Sequence, residues 1–319
     1  MMPEEKKSMN AEPQKDTAGA NAYHVPVLLQ EAVEALQVKP NGTYVDCTFG
    51  GGGHSAAILK QLGTSGLLIG FDQDEDARKN LPADDRFLFI PQNFRYLQRF
   101  LRLHQVSQVD GILADLGVSS HQFDEGERGF STRFDANLDM RMDSRNNLTA
   151  AIVLQTYSEN RLHKMFEQYG EVTNAKTLAK TIVAQRAISP LNTINQLKQS
   201  VQAIVKGNPH KYFAQLFQAI RIEVNDEMGA LKEMLAQSAT VLKPGGRIAV
   251  ITFHSLEDRL VKNFFKQGSF EEVPADEIYG TRPASALKPV NKKPILPAPA
   301  EMEKNKRSRS AKLRVAEKK

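Results

Sequence analysis

The chain has 319 residues, and 42 lysines and arginines against 37 acidic residues give it a net charge of +5. This length allows one large domain or two moderate ones, and no apolar run approaches the ~20 residues of a membrane-spanning helix. Residues 1–21 lack the apolar segment of a secretory signal, and a single cysteine, Cys47, excludes an intramolecular disulfide. We therefore expect a cytoplasmic protein without membrane contact, in which residues 1–21 form a disordered tail.

The first predicted strand leads into a glycine-rich turn. Residues 43–55 read TYVDCTFGGGGHS: a short apolar run, the acid Asp46, four glycines, and a helix-compatible run that starts at His54. In an α/β sheet, this strand–glycine–helix order presents backbone N–H groups to a ligand. Residues 51–56 also fit the G-x-G-x-x-A pattern of dinucleotide binders. The loop by itself is therefore compatible with NAD, with S-adenosylmethionine or with a plain glycine turn.

Three carboxylates follow predicted strands at one edge of the sheet. Continuous apolar runs predict buried strands at residues 44–47, 67–71, 86–90, 110–115 and 247–253. Asp46, Asp72 and Asp115 stand at the carboxyl ends of three of these strands, where open α/β sheets bind their ligands. Three such acids together with the glycine loop indicate a ligand site more strongly than any one of them.

Two residues beyond the strands have specific expected roles. Asp72 comes about twenty residues after the glycine loop, where Rossmann-like folds place an acid on the ribose hydroxyls. The alternative is a surface acid that favours the start of the next helix. Phe94, in the turn after the third strand, could pack on a purine face or belong to the core.

A long aperiodic loop is predicted from residue 121 to residue 143. Loops of this length beside a site usually carry function. Phe123 and Phe130 could stack a base, and Arg128 and Arg141 could contact phosphates. Alternatively, internal ion pairs could hold the loop in place.

Residues 144–213, called the helical block below, have helical periodicity and no convincing strand. Helices are predicted at residues 150–157, 161–169, 176–187 and 193–207, the last opened by a capping box at Thr193. Two more helices, divided near Asn225, precede the fifth strand. We expect an α/β domain in two parts, residues 22–143 and 214–319, into which the helical block is inserted as a separate domain.

The C-terminal segment, residues 302–319, is basic, most densely from Lys304 to Arg314. Such a run is compatible with a solvated tail and equally with a segment that neutralises the phosphates of a nucleic acid. If it contacts a nucleic acid, charge reversal at Arg307, Arg309 and Arg314 should weaken that binding.

Several longer motifs make the chain recognisable. They are HVPVLLQE at 24–31, GGGHS at 51–55, DGILADLGVSS at 110–120, RGFS at 128–131, LDMRMD at 138–143, FQAIRI at 217–222, FHSLEDR at 253–259 and RSRSAKLR at 307–314. With these motifs in this order, the chain resembles the RsmH (MraW) family, bacterial S-adenosylmethionine-dependent methyltransferases that act on N4 of a cytidine in small-subunit ribosomal RNA. The resemblance runs from about His24 to Glu317.

The resemblance implies a fold, a partner and a set of contacts. The fold would be α/β, a Rossmann-like class I S-adenosylmethionine-dependent methyltransferase sheet with an inserted all-helical domain for substrate recognition. The substrate would be 16S ribosomal RNA in the small ribosomal subunit, and both a monomer and a homodimer stay open. Carried over by motif, the S-adenosyl-L-methionine contacts would be Gly52, Gly53, His54, Asp72, Phe94, Asp115 and Gln122.

The implied reaction is a direct in-line displacement, helped mostly by positioning. A cytosine N4 is a poor nucleophile because its lone pair is delocalised into the ring, so a nearby acceptor must hold its hydrogens. Asp115, with Ser119 or Ser120, is the candidate for that role. Residues 116–118 lack the two prolines and the aromatic of many amino-methyltransferases, so base stacking must come from elsewhere. The predicted substrate contacts are Arg128, Phe130, Arg141, Arg307 and Arg309, and no metal is predicted.

Two other functions and one departure from the family stay open. An NAD(P)-dependent oxidoreductase would share the glycine loop, and a non-catalytic RNA-binding ribosome assembly factor would share the basic terminus. The family commonly has HPATRT before the position of Phe217, whereas residues 210–216 here read HKYFAQL. The missing arginine weakens any prediction of a substrate contact at that place.

Overall fold

The computed structural model describes residues 26–271 and 285–319. The tail predicted at residues 1–21 lies outside these residues, as do His24 and Val25 of the first motif. In the part of the chain that is described, no helix is both long enough and apolar enough to cross a bilayer.

One mixed sheet of seven strands organises the part of the chain outside the helical block. Its strands are β1 (Thr43–Asp46), β2 (Leu67–Phe71), β3 (Phe87–Ile90), β4 (Val109–Asp115), β5 (Leu242–Thr252), β6 (Leu287–Pro289) and β7 (Lys312–Lys318). Their spatial order is β3-β2-β1-β4-β5-β7-β6. Strands β1 to β5 are parallel, and β7 lies antiparallel between β5 and β6. This confirms the predicted class I, Rossmann-like fold.

Helices cover both faces of the sheet and form the helical block. In chain order they are α1 (Leu29–Leu36), α2 (Gly53–Leu59), α3 (Leu97–Leu103), α4 (Ser120–Asp124), α5 (Ala150–Thr156), α6 (Glu159–Gln168), α7 (Ala175–Ile188), α8 (Ile194–Val201), α9 (Pro209–Asn225), α10 (Glu227–Val241), α11 (Ser255–Gln267) and α12 (Pro299–Lys304). Short 3₁₀ turns lie at Glu75–Asn80, Phe94–Tyr96, Gly126–Arg128, Gln202–Ile204 and Lys306–Ser310.

The period-two alternation of the strands divides the core between the two faces of the sheet. Tyr44 and Leu68 pack with α1 and α2, whereas the next residues along, Val45 and Ile69, pack with α3, α10 and α11. Both sets of side chains are buried, which explains why these strands read as continuous apolar runs.

Helices α5 to α9 pack around a core of their own. Each contributes at least one fully buried side chain, namely Leu154, Phe166, Leu178, Leu197 and Leu216. The helices predicted in the block are confirmed, and so is the capping box, in which Thr193 and Gln196 cap each other. The division into domains stays a prediction, and its border between residues 213 and 214 falls inside α9.

The basic C-terminus is part of the sheet, which corrects its interpretation as a solvated tail. Residues 247–252 of β5 pair with residues 317–312 of β7, and β6 pairs with the outer edge of β7. Leu313 and Val315 are buried against α1 and α2. Arg314 is only 8% exposed and donates to both carboxylate oxygens of Asp258 in α11, at 2.5 and 3.2 Å.

Candidate active site

A cavity of about 610 Å³ opens at the carboxyl edge of the sheet. Residues at or just after the ends of β1, β2, β4 and β5 line this cavity, namely Thr48, Asp72, Asp115 and Phe253. This is the edge at which parallel α/β sheets bind ligands. Of the predicted cofactor residues, those that line it are Gly53, His54, Asp72, Phe94, Asp115 and Gln122.

Two positions in the loop after β1, Gly52 and Gly53, require glycine for steric reasons. Gly52 has a φ of +76°, and a Cβ there would lie 3.1 Å from the Phe49 ring. Gly53 starts α2, and its Cβ would lie 2.3 Å from Cγ of Pro26. Gly52, which is absent from the cavity wall, thus shapes the turn, whereas Gly53 brings the chain close to Pro26 beside the cavity.

Asp46 stabilises the glycine loop through hydrogen bonds and does not line the cavity. Its Oδ1 accepts from the Thr48 N–H at 3.0 Å, and its Oδ2 accepts from the Ser55 hydroxyl at 2.7 Å. It is buried, and burial raises its pKa despite the neighbouring His54 and these hydrogen bonds. A sequence pattern cannot separate this structural acid from a ligand-binding one.

Asp72 links the glycine loop to β2. Its Oδ2 accepts from the Gly50 N–H at 2.7 Å, and its Oδ1 accepts from the Asp74 N–H at 2.8 Å. Burial raises its pKa to about 6, against the effect of these two hydrogen bonds. Each carboxylate oxygen has a second lone pair, so Asp72 can accept further hydrogen bonds from a ligand.

Asp115 ends β4 with one oxygen unused. Its backbone N–H donates to Oγ1 of Thr48 at 2.7 Å, and its Oδ2 lies 3.9 Å from Nδ1 of His54. Its Oδ1 is buried and has no hydrogen-bonding partner among the described residues. Burial, and then the negative charges of Asp46 and Glu257, raise its pKa well above the ordinary value. The Asp115 side chain as a whole lines the cavity and is 25% exposed. Its carboxylate is therefore available to a donor on a substrate.

His54 lies against this carboxylate group and is buried. Burial lowers its pKa, although the charge of Asp46 acts in the opposite direction. The neutral imidazole is therefore favoured at neutral pH, and His54 does not neutralise Asp115.

The predicted partners of Asp115 lie at the start of α4. Ser119 is the N-cap: its Oγ accepts from the Gln122 N–H at 3.1 Å, and the Gln122 side chain accepts from the Ser119 N–H at the same distance. Gln122 also donates to Asp74 at 2.7 Å. Ser120 is the first residue of the helix. The Ser119 hydroxyl still lines the cavity and retains a hydrogen to donate.

Most of the predicted substrate contacts in the loop of residues 121–143 are engaged within the protein. Arg128 donates to Asp74 at 2.5 Å and to the carbonyl oxygens of Arg141 and Met142. Arg141 donates to both oxygens of Asp139 and to two further carbonyls. Phe130 is buried in the core of the helical block. These contacts support the alternative that the loop is held by internal ion pairs.

Arg307 is the predicted substrate contact that reaches the cavity wall. Its Nη2 donates to Asp124 at 2.8 Å, and its guanidinium lies 5.2 Å from the centre of the Phe123 ring. Its Nη1 is buried and has no partner among the described residues. Arg309, two residues on, is exposed and is absent from the wall.

Sequence reasoning missed Glu257, which lines the cavity. It is 2% exposed, accepts from the Phe253 N–H at 2.8 Å, and lies 3.1 Å from Nε2 of His254. Burial acts to raise its pKa, but the charge and hydrogen bond of His254 prevail and lower it. The signal was present in the sequence, because the FHSLEDR motif follows the fifth strand at the ligand-binding edge.

Glu227, His254 and Glu257 bring possible metal-ligand atoms within 4.8 Å of one another. Arg221, however, already donates to both oxygens of Glu227, at 2.8 and 2.9 Å. Both carboxylate oxygens of Glu227 therefore already have a donor, and the absence of a metal stays a prediction.

Comparison with known proteins agrees with the motifs. The sequence profile of the MraW methylase family matches residues 21–319. The chain is 54% identical over 298 residues to "Ribosomal RNA small subunit methyltransferase H" of Bacteroides thetaiotaomicron, covering 93% of this chain and 98% of that protein. It is also 54% identical over 297 residues to the protein of the same name in Flavobacterium johnsoniae, with the same coverage. The chain belongs to the MraW methylase family.

The predicted membership of the RsmH (MraW) family is thereby confirmed. Among solved structures, an rRNA methylase from Streptococcus thermophilus is similar to this MraW-family chain, with a TM-score of 0.39 and 11% identity. That similarity covers 92% of this chain and 98% of the other.

Proposed function

We propose that the chain transfers the methyl group of S-adenosyl-L-methionine to N4 of a cytidine in 16S ribosomal RNA of the small subunit, in the cytoplasm. Family membership supports the methyl transfer, and the name of the relatives supports the small-subunit RNA. The observation that carries the chemistry is the partly exposed Asp115 carboxylate in the wall of the cavity at the carboxyl edge of the sheet. The comparisons give no support to the oxidoreductase or to the non-catalytic assembly factor.

The residues of the cavity fit the parts of this cofactor. Asp72 would accept from the ribose hydroxyls, as the acid after the second strand does in Rossmann-like folds. Phe94 is half-buried in the wall beyond β3 and offers an apolar face to the adenine. Gly53 and His54 lie beside Asp115 on the side that would take the methionine end. Gln122 supports the site indirectly, through its hydrogen bond to Asp74.

The bound cofactor supplies an electrophilic methyl group on a positively charged sulfur. The Asp115 carboxylate would accept a hydrogen bond from the amino group of the cytosine, which orients the nitrogen and its lone pair towards the methyl group. A positive charge in the cavity favours the ionised carboxylate and so opposes the effect of burial on the pKa of Asp115. As the new bond forms, the nitrogen loses a proton, and Asp115 is the base placed to take it.

Replacing Asp72 by asparagine should weaken cofactor binding roughly 10- to 100-fold, because hydrogen bonds to a charged group contribute about 1.5–3 kcal/mol. Cofactor affinity of the wild type should also fall as the pH drops below about 6, where Asp72 becomes protonated. Equilibrium dialysis with labelled cofactor between pH 5 and pH 8 measures both effects. A variant with the same affinity and the same pH dependence as the wild type would remove Asp72 from the site.

The proposed function is tested on small ribosomal subunits from cells that lack this protein. Labelled S-adenosylmethionine is added with the purified chain, and the RNA is then digested to nucleosides. Label in N4-methylcytidine supports the reaction, the cofactor and the substrate together. Cofactor binding without transfer to any form of the subunit would contradict the substrate, and absence of cofactor binding would contradict the proposed function as a whole.

A further inference from the structure

The positive charge of this protein lies mainly in two segments, the helical block and the C-terminal residues 302–319. Residues 144–213 contain nine lysines and arginines against three acids, a net charge of +6. Since the whole chain has a net charge of +5, all other residues together carry −1. Residues 302–319 contain eight lysines and arginines against two acids, likewise a net charge of +6. Three of these cations, Arg307, Lys312 and Arg314, pair with Asp124 or Asp258. The block is therefore a second centre of electrostatic attraction for a polyanion, beside the C-terminus.

The three arginines of the block are engaged in its structure. Arg145 pairs with Asp143, Arg161 pairs with Glu223, and Arg186 donates to two backbone carbonyls. Their hydrogen bonds hold helices and loops together, and the charges of Arg145 and Arg161 are offset by their acidic partners.

The block also contains six lysines. Five of them, all except Lys164 in α6, form a group at one end of the block that we call the lysine pole. It consists of Lys176, Lys180, Lys198, Lys206 and Lys211. Four of them are exposed, and Lys198 is half-buried with its ammonium 5.7 Å from the centre of the Phe213 ring. None of the five forms an ion pair with any residue in the ranges 26–271 and 285–319.

Packing contacts bring the three segments of the pole together. Asn174, immediately before α7, donates to the carbonyl oxygen of Ile204 at 2.9 Å. Lys176 and Lys206 each lie two residues from one end of that hydrogen bond. The contact between Lys198 and Phe213 joins α8 to the first turns of α9, where Lys211 lies.

Two features strengthen the positive potential at the pole. Helices α7 and α9, of 14 and 17 residues, both begin there, and helix N-termini carry partial positive charge. The acid that precedes α7, Glu171, pairs instead with Arg259 in α11, at 3.4 Å. The lysines are therefore left for an external anionic group.

Helix α9 connects the pole to the candidate active site. It begins beside Lys206 and ends at Asn225, which lines the cavity. Its 17 residues rise about 24 Å at 1.5 Å per residue. A single nucleotide in the cavity cannot reach the pole, but a folded RNA that presents the cytidine can.

We propose that the lysine pole binds phosphates of the RNA substrate about 24 Å from the cytidine that enters the cavity. This inference rests on the proposed function and adds the surface by which a large RNA, rather than an isolated nucleotide, is held. The pole contributes phosphate contacts and no base reading, so it supplies affinity and orientation but not sequence selection.

The test compares the wild type with a triple variant, Lys176→Ala, Lys206→Ala and Lys211→Ala. Filter binding to an in vitro transcript of 16S ribosomal RNA is measured at several salt concentrations. Loss of three phosphate contacts should lower the slope of log affinity against log salt by about two to three. Binding of labelled S-adenosylmethionine should stay unchanged, because none of the three residues lines the cavity.

A matched control variant changes three lysines elsewhere: Lys60→Ala, Lys292→Ala and Lys293→Ala. These are exposed and likewise form no ion pair among the described residues. The proposal is contradicted if both triple variants have the same slope of log affinity against log salt concentration. It is also overturned if the pole variant weakens binding to whole small subunits but not to the transcript, since a ribosomal protein would then be the partner.

Two further controls keep the outcome interpretable. If the triple variant loses helical signal by circular dichroism, Lys206→Glu alone replaces it, because Lys206 is exposed in the link before α9. Failure of the proposed function is seen separately. If the wild type binds the transcript through the pole but transfers no methyl group, the proposed binding surface is supported and the proposed reaction is contradicted.

Discussion

Replacing Asp115 by asparagine is expected to reduce the rate of methyl transfer by about 10²- to 10⁴-fold, the usual contribution of a positioned acid–base group. The amide keeps the size of the side chain but cannot take a proton, and it places a donor group where the cytosine amino group needs an acceptor. Single-turnover transfer of labelled methyl groups to small ribosomal subunits measures the effect. A rate within a few-fold of the wild type would show that another group receives the proton.

The pH dependence of the wild-type rate should have a defined direction. Burial and the charges of Asp46 and Glu257 raise the pKa of Asp115, and only its ionised form can accept the proton. The rate should therefore increase as the pH rises through that raised pKa. Since the Asp115→Asn variant lacks the titrating group, its residual rate should lose this dependence.

The contribution of Asp115 to the free energy of unfolding should change with pH in the opposite direction to the rate. Asp115 holds its proton more tightly in the folded state than in the unfolded state, so the folded protein is stabilised at low pH. That contribution is lost as the pH rises above the ordinary carboxyl value of 3.8 and through the raised pKa. At neutral pH, Asp115→Asn should unfold no more easily than the wild type. A loss of activity with unchanged or increased stability then identifies a functional role.

Ser119→Ala provides a contrast at the same wall of the cavity. It removes the N-cap of α4 and should lower the free energy of unfolding by about 1 kcal/mol. Its effect on transfer should be far smaller than that of Asp115→Asn, because its hydroxyl oxygen already accepts within the protein. Equal losses of rate in the two variants would make Ser119 a partner of Asp115 in the reaction.

The features that the sequence predicts best are those that local pattern controls. Strands β1, β2 and β4 are largely buried on both faces, and the edge strand β3 is partly buried, so continuous apolar runs mark all four. The acid Asp72 directly follows β2, and Asp115 ends β4. The glycines of the loop after β1 are dictated by a turn with positive φ and by the close approach of Pro26. These requirements can be inferred from the residues without knowing the rest of the chain.

The features that the sequence predicts poorly depend on contacts with residues that are distant along the chain. Arg128 reads as a free cation, yet its partner is Asp74, 54 residues earlier. Strand β7 has alternating charged and apolar residues, and its partner strand β5 ends 60 residues before it begins, at the pair Thr252 and Lys312. A charged segment of this kind cannot be told from a solvated tail until its neighbour in the sheet is known.

The basic terminus also gives the second large effect, on stability rather than on RNA. Replacing Arg314 by methionine should lower the free energy of unfolding by about 3–5 kcal/mol, because the mostly buried carboxylate of Asp258 loses its bidentate partner. Lys312, 3.3 Å from the same carboxylate, can offset part of that loss. Urea denaturation followed by circular dichroism measures the change.

Two companion variants decide what Arg314 does. Arg309→Met removes an exposed arginine of the same segment and should leave the free energy of unfolding within about 0.5 kcal/mol of the wild type. The double change Arg314→Met with Asp258→Leu removes both charges and should be less destabilising than Arg314→Met alone, since no buried charge is then left unpaired. If Arg314→Met instead left stability unchanged and weakened RNA binding, the arginine would belong to the RNA contact surface. Its position in β7, with its guanidinium against α11, is the reason to expect the loss of stability.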